Sequence, residues 1–141
     1  MTNKEIPEFS QEELSQWVRE QFQRANKHLA ENGVLFDSVV TEASRYLAPF
    51  IAVWKIKSIE KKYYWVVSGD VPCDFMPFEN EQNARAAIRH FSMIWQMKAE
   101  NIRKSGTLDL TQQDFARLLI TKAEDLYKIQ ADDSIWKEHG A

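Results

Sequence analysis

Apolar residues recur along this chain with two different periods, and the change of period marks the elements. Between Phe50 and Lys57 the even positions Phe50, Ala52, Trp54 and Ile56 are all apolar, whereas the odd ones run Ile51, Val53, Lys55 and Lys57. Between Lys62 and Gly69, Tyr63, Trp65 and Val67 alternate with the more mixed Lys62, Tyr64, Val66 and Ser68. Period two is the mark of a strand whose successive side chains point to opposite faces, so the segment predicts an antiparallel hairpin. A four-residue connection, Ser58 to Lys61, sets Trp54 opposite Trp65 and Ile56 opposite Tyr63, gathering the large rings on one face. That length is expected because neither Ile59 nor Glu60 suits the positive φ of a two-residue turn. One face is then core, and the other carries lysines.

The helical period appears on both sides of the hairpin. Ser10 and Glu13 form a capping box with Phe9 and Leu14 in the staple positions. Leu14, Trp17, Val18, Phe22, Ala25 and Leu29 then follow at spacings of three and four as far as the stop at Gly33. A middle helix, Glu81 to Lys104, places Ala84, Ala87, Ile88, Phe91, Ile94, Trp95, Ala99 and Ile102 on one arc. A softer stripe of Ala86, His90, Met93 and Met97 runs beside it, and Arg85, Arg89, Ser92, Gln96 and Arg103 make the polar side. Thr111 and Asp114 repeat the cap arrangement for a last long helix through Phe115, Leu118, Leu119, Ala123 and Leu126 to about Ile129. Asp132 and Asp133 disfavour a helix end but favour a new start, so Ser134 to Glu138 is expected as a separate turn anchored by Ile135 and Trp136. Val34 to Leu47 is ambiguous. Asp37 could cap a short helix there, but the Thr, Val and Tyr content favours an edge strand ending at Pro49.

Composition narrows the class. A chain of 141 residues with 44% hydrophobic content suits one domain over 1–141, its ends at 1–8 and 131–141 loosely ordered. The net charge of −3 supplies no general pull toward nucleic acid. Cys73 stands alone, the start MTNKEIPEF lacks the apolar core of a secretory signal, and the run Phe50 to Trp54 is far short of the ~18 residues that cross a bilayer. A cytoplasmic location is expected, with no membrane contact.

Candidate chemistry concentrates where the second strand ends. Ser68, Gly69, Asp70, Val71, Pro72, Cys73 and Asp74 put a thiol and two carboxylates in one tight loop. Close carboxylates perturb each other as acid/base or cation sites require, yet aspartate is also the ordinary turn residue beside Gly and Pro. Cys73 becomes a nucleophile only beside a base, for which His90 is the nearest candidate. The dispersed His28, His90 and His139 show no ligand spacing, so neither metal nor cofactor is expected. Lys55, Lys57, Lys61 and Lys62 with Tyr64 make the outer hairpin face cationic, although such lysines commonly serve to block edge pairing.

SRYLAP at 44–49, AVWKIK at 52–57, WVVSGDVPCD at 65–74 and ARAAIRHFSMIWQMKAENI at 84–102 are similar to the domain-of-unknown-function family 4826 over most of the chain. The resemblance implies a short, stand-alone, cytoplasmic bacterial protein and no particular activity. In similar proteins the loop reads closer to GDLPTD, with threonine where Cys73 stands, which leaves Asp70, Pro72 and Asp74 as the matching residues.

The expected architecture is α+β: a two- or three-stranded antiparallel sheet packed against three main helices, its aromatic face on the middle one. The expected function is a noncatalytic binding or interaction module contacting its partner through the loop 69–74, with Asp70, Asp74, Arg45 and Tyr46. A small hydrolase or transferase using Asp70 and Asp74 with His90 is the alternative. Weak nucleic-acid binding by the lysine-rich hairpin is the third reading, and Met93 and Met97 are the residues through which a homodimer would form.

Overall fold

A computed structural model describes residues 9–137 of the protein. Helix α1 (Gln11–Glu31) precedes five strands, β1 (Phe36–Val39), β2 (Arg45–Leu47), β3 (Ile51–Ser58), β4 (Tyr63–Gly69) and β5 (Asp74–Pro77). A 3-10 turn (Phe78–Asn80) leads to α2 (Ala84–Lys104), α3 (Leu110–Ala131) and α4 (Asp133–Lys137). The class is α+β as expected, but the antiparallel sheet has five strands rather than two or three. By its contacts the chain divides into two compact units, Met1–Met76 and Pro77–Ala141.

In the N-terminal unit, α1 begins as its sequence dictates. Ser10 Oγ accepts the Glu13 amide at 3.0 Å, Glu13 returns a carboxylate oxygen to the Ser10 amide, and Gly33 takes φ 82 just past the end. The hairpin forms too, but with a different register. Trp54 faces Val66, Lys55 faces Trp65 and Ile56 faces Tyr64, so Trp54 and Trp65 lie on opposite faces of the sheet. The cause is a loop one residue shorter than expected. The Ser58 amide donates to Lys62 O, the Lys61 amide to Ser58 O, and Lys61 takes the left-handed conformation at φ 67. This is the three-residue hairpin in which the third residue, not the first two, carries the positive φ.

Both faces of the central strands are consequently buried, which four consecutive buried residues at the start of β3 also report. On one face Ala52, Trp54, Ile56 and Val66 pack with Ala25 and Leu29 of α1, and Phe22 meets Trp54 edge-on at 5.5 Å. The cover on the Trp54 face is thus α1, where α2 was expected. On the other face Ile51, Val53, Trp65 and Val67 are buried. Phe50, expected in the core, precedes β3 and is exposed.

The ambiguous segment resolves into one outer strand broken in the middle. β1 pairs with the second half of β3 and β2 with its first half, so both lie along the same edge. Where residues 40–44 bulge away, Ser44 Oγ accepts the Lys55 amide at 2.9 Å and donates to Val40 O at 2.9 Å. The hydroxyl thus stands in for a missing ladder partner. Ser44→Ala should strip that acceptor and lower stability by about 1–3 kcal/mol, read from a urea titration. An unchanged midpoint would show that the hydroxyl plays no part in joining the two strand halves. β5 was hidden because Pro72 and Pro77 bracket it, and prolines are tolerated at the edge where it lies.

In the C-terminal unit, α2 starts at Ala84 rather than Glu81, because Asn83 caps it by accepting the Ala86 amide at 2.9 Å. α3 likewise starts at Leu110, capped by Asp109 rather than by Thr111. A short loop folds α3 back along α2 as a helical hairpin. Ser92, read as polar surface, is buried where its hydroxyl donates to Ala123 O at 2.7 Å. Asp132 Oδ1 accepts from the Ser134 amide and hydroxyl, which hold its carboxyl below the usual range, and α4 brings Trp136 into the core. Residues 131–137 are helical apart from Asp132, whereas 1–8 and 138–141, His139 among them, lie outside the described residues.

Candidate functional site

The loop expected to carry function is held from two sides. Gly69 leaves β4 at φ 124, with no room for a side chain: a Cβ there would stand 2.5 Å from Phe50 O. Arg24 of α1 reaches across to donate Nη1 to Gly69 O at 2.5 Å and Nη2 to Val71 O at 3.3 Å. Asp70 is exposed at the bend, and Asp74 opens β5 with Oδ1 accepting the Phe75 amide at 2.8 Å. Cys73 is half-buried. Burial pushes its thiol pKa up, the carboxylates of Asp74 and Glu31 push the same way, and Arg24 opposes them. A thiol so placed is protonated at neutral pH and a poor nucleophile.

Arg45 and Tyr46 occupy adjacent positions of β2, so they point to opposite faces and do not form one contact surface. Arg45 donates Nη1 to Glu42 O at 2.8 Å and Ser44 O at 2.9 Å, bracing the bulge. Tyr46 lies tilted on Trp54 at 5.0 Å, where burial raises its phenol pKa.

Tyr46 belongs to a feature that the sequence did not reveal. A groove of about 760 Å³ runs between the first half of α1 and the outer strand β1–β2. Leu14, Val18, Phe22, Phe36, Tyr46 and Trp54 line it, with Arg19 on the helix rim and Asp37 on the strand rim. α1 overhangs the sheet here: Ala25 and Leu29 are fully buried, whereas Leu14, nearer the start of the helix, is 38% exposed. The available signal was the length of the apolar stripe, which begins three turns before the buried residues.

The other candidates are placed as follows. His90 lies in α2, with a carboxylate oxygen of Glu81 at 2.7 Å from Nδ1. Tyr64, expected beside the hairpin lysines, packs instead against Phe75 on the Trp54 face; Tyr63 takes its place, with Lys55 Nζ 5.0 Å above its ring. Met93 and Met97 are exposed on α2, at 54% and 61%. Among the described residues no group of three or more His, Cys, Asp or Glu side chains could hold a metal ion, and no helix is long and apolar enough to cross a membrane.

These features define a small α+β protein with an aromatic-lined groove along one sheet edge. Residues 11–136 match the family model of a domain of unknown function, DUF4826, and the chain belongs to that family. Comparison with curated proteins and with solved structures finds no match.

Proposed function

We propose that the protein is a noncatalytic binding module whose N-terminal unit takes an extended peptide segment between α1 and the outer edge of β1. The observation that carries this reading is the groove of about 760 Å³ beside a strand that has a ladder partner on one side only among the described residues. A strand edge offers unpaired amides and carbonyls to an incoming chain, and a flanking cavity takes alternate side chains. The volume falls in the range of ligand sites, and the four rings of Phe22, Phe36, Tyr46 and Trp54 favour an apolar or aromatic anchor. Arg19 and Asp37 give the mouth one charge of each sign, which suits a segment with an acidic residue on the helix side and a basic one on the strand side. A raised thiol at Cys73 and a carboxylate of Asp74 turned to its own backbone support binding over covalent chemistry. Tyr46 is a contact residue in this reading; Asp70, Asp74 and Arg45 do not line the groove.

The test selects peptides from a random display library and competes them with anilinonaphthalene sulfonate, an aromatic anion suited to Arg19. Leu14→Asp places a charge in the apolar mouth at a helix position that tolerates aspartate, and should weaken both ligands at least about tenfold with an unchanged melting curve. Asp70→Ala and Asp74→Ala should leave both affinities as they are. Loss of binding in the aspartate variants, with none in Leu14→Asp, would move the contact surface back to the acidic loop.

A further inference from the structure

We propose that the C-terminal unit carries a separate binding site for a phosphate group, in the pocket beside His90. The pocket, of about 310 Å³, is lined by Glu81, Arg85, Arg89, His90, Met93 and Gln130. That volume sits at the small end of ligand sites, ample for a phosphoryl group on a small carrier.

Most charges around the pocket are already committed. Glu81 accepts Nδ1–H of His90 at 2.7 Å, and Arg85 donates Nε to Gln130 O and Nη2 to Asp133 Oδ1, both at 2.6 Å. Arg89, one helical turn beyond Arg85 on the same face, has no ion-pair partner among the described residues. Arg89 is therefore the guanidinium of the pocket left without a carboxylate of its own, and its fork of donors matches oxyanion geometry. Its neighbours are held in place by their own hydrogen bonds, so the site is arranged before a ligand arrives.

His90 decides which oxyanion fits. With Nδ1 engaged by Glu81, Nε2 is the ring atom left to meet a ligand, and the carboxylate fixes the ring plane. With Nδ1–H donated to Glu81, Nε2 accepts from a protonated oxygen when the ring is neutral and donates to a bare one when the ring is protonated. Phosphate and its monoesters present both kinds of oxygen near neutral pH, whereas a carboxylate presents only bare ones. Arg89 and His90 together thus favour phosphate over a simple carboxylate.

The experiment follows the ring resonances of His90 by NMR in the full-length chain, titrated with inorganic phosphate and, separately, with acetate. Phosphate should produce saturable shifts, with acetate at least about tenfold weaker. Arg89→Gln, an exposed change, should weaken phosphate at least about tenfold, while Met97→Ala, on the same helix outside the pocket, leaves it unchanged. His90→Asn, followed through the backbone amide resonance of Arg89 because the ring signal is gone, should retain weak binding by Arg89 but lose the preference for phosphate. The proposal is overturned if phosphate gives no saturable shift, if acetate binds equally well, or if Arg89→Gln binds phosphate like the wild type; a preserved preference in His90→Asn removes His90 from the site.

Discussion

Gly69→Ala is expected to cost more than about 3 kcal/mol and to lower the melting temperature by at least about 10 °C. Two independent terms combine. The backbone stands at φ 124, a conformation that costs any residue with a Cβ about 1–3 kcal/mol. The added carbon would also lie 2.5 Å from Phe50 O and 2.6 Å from Ile51 Cα, both of them backbone atoms that no side-chain rotation can move. Relief requires the end of β4 to separate from β3, which would break the 2.8 Å bond from the Asp70 amide to Phe50 O and displace the carbonyls held by Arg24. A calorimetric scan reads the result directly. A melting temperature within a degree or two of wild type would mean that the strand end is far softer than its contacts require.

The second large effect is expected at the aromatic core. Trp65 has no exposed surface, and Trp65→Ala should cost about 3–5 kcal/mol. A double-mutant cycle carries more information. Because Trp54 and Trp65 lie on opposite faces, the gentler changes Trp54→Phe and Trp65→Phe should add to within about 0.5 kcal/mol in a urea titration. The same-face register expected from alternation alone would make the two rings neighbours and couple them. A coupling above about 1 kcal/mol would argue for that register instead.

The difference between the two registers turns on one residue in a loop. Alternation along β3 and β4 identifies the strands, because the period is a property of each strand alone. Register depends on the turn, and Lys61 adopts a positive φ that its side chain does not advertise as Gly or Asn would. Shifting the partner by one residue flips every side chain to the other face. The same shift explains why Tyr64 left the lysine face, whereas Phe50 falls outside the strand because it belongs to the turn between β2 and β3, its amide donating to Leu47 O. The broken outer strand was legible only as a preference for extended structure. Its two short halves are held by Ser44, whose role depends on Lys55 arriving opposite it.

Of the candidate sites, the loop 69–74 was visible because Gly, Pro and Asp announce a bend wherever they cluster. Arg24, which holds that bend, was not, since it lies 45 residues from Gly69 in sequence. The groove escaped for the same reason: Leu14 and Val18 come from one helix, Phe36 and Tyr46 from the outer strand, and Trp54 from the centre of the sheet. Each reads as a core residue by itself. His90 was identifiable as a candidate, but its contact with Glu81, nine positions earlier, was not.

What the amino-acid sequence determined by itself is local: the capping box at Ser10, the helical stripes, the two central strands, the stop at Gly33 and the restart at Asp132. Each follows from residues within a few positions of one another, where hydrogen-bond reach and side-chain period act without knowledge of the rest of the chain. Only the tertiary structure decided which faces are buried, how the strands pair, and where apolar surface is left uncovered. Those outcomes depend on contacts between residues tens of positions apart and, for the register of β3 against β4, on one three-residue loop.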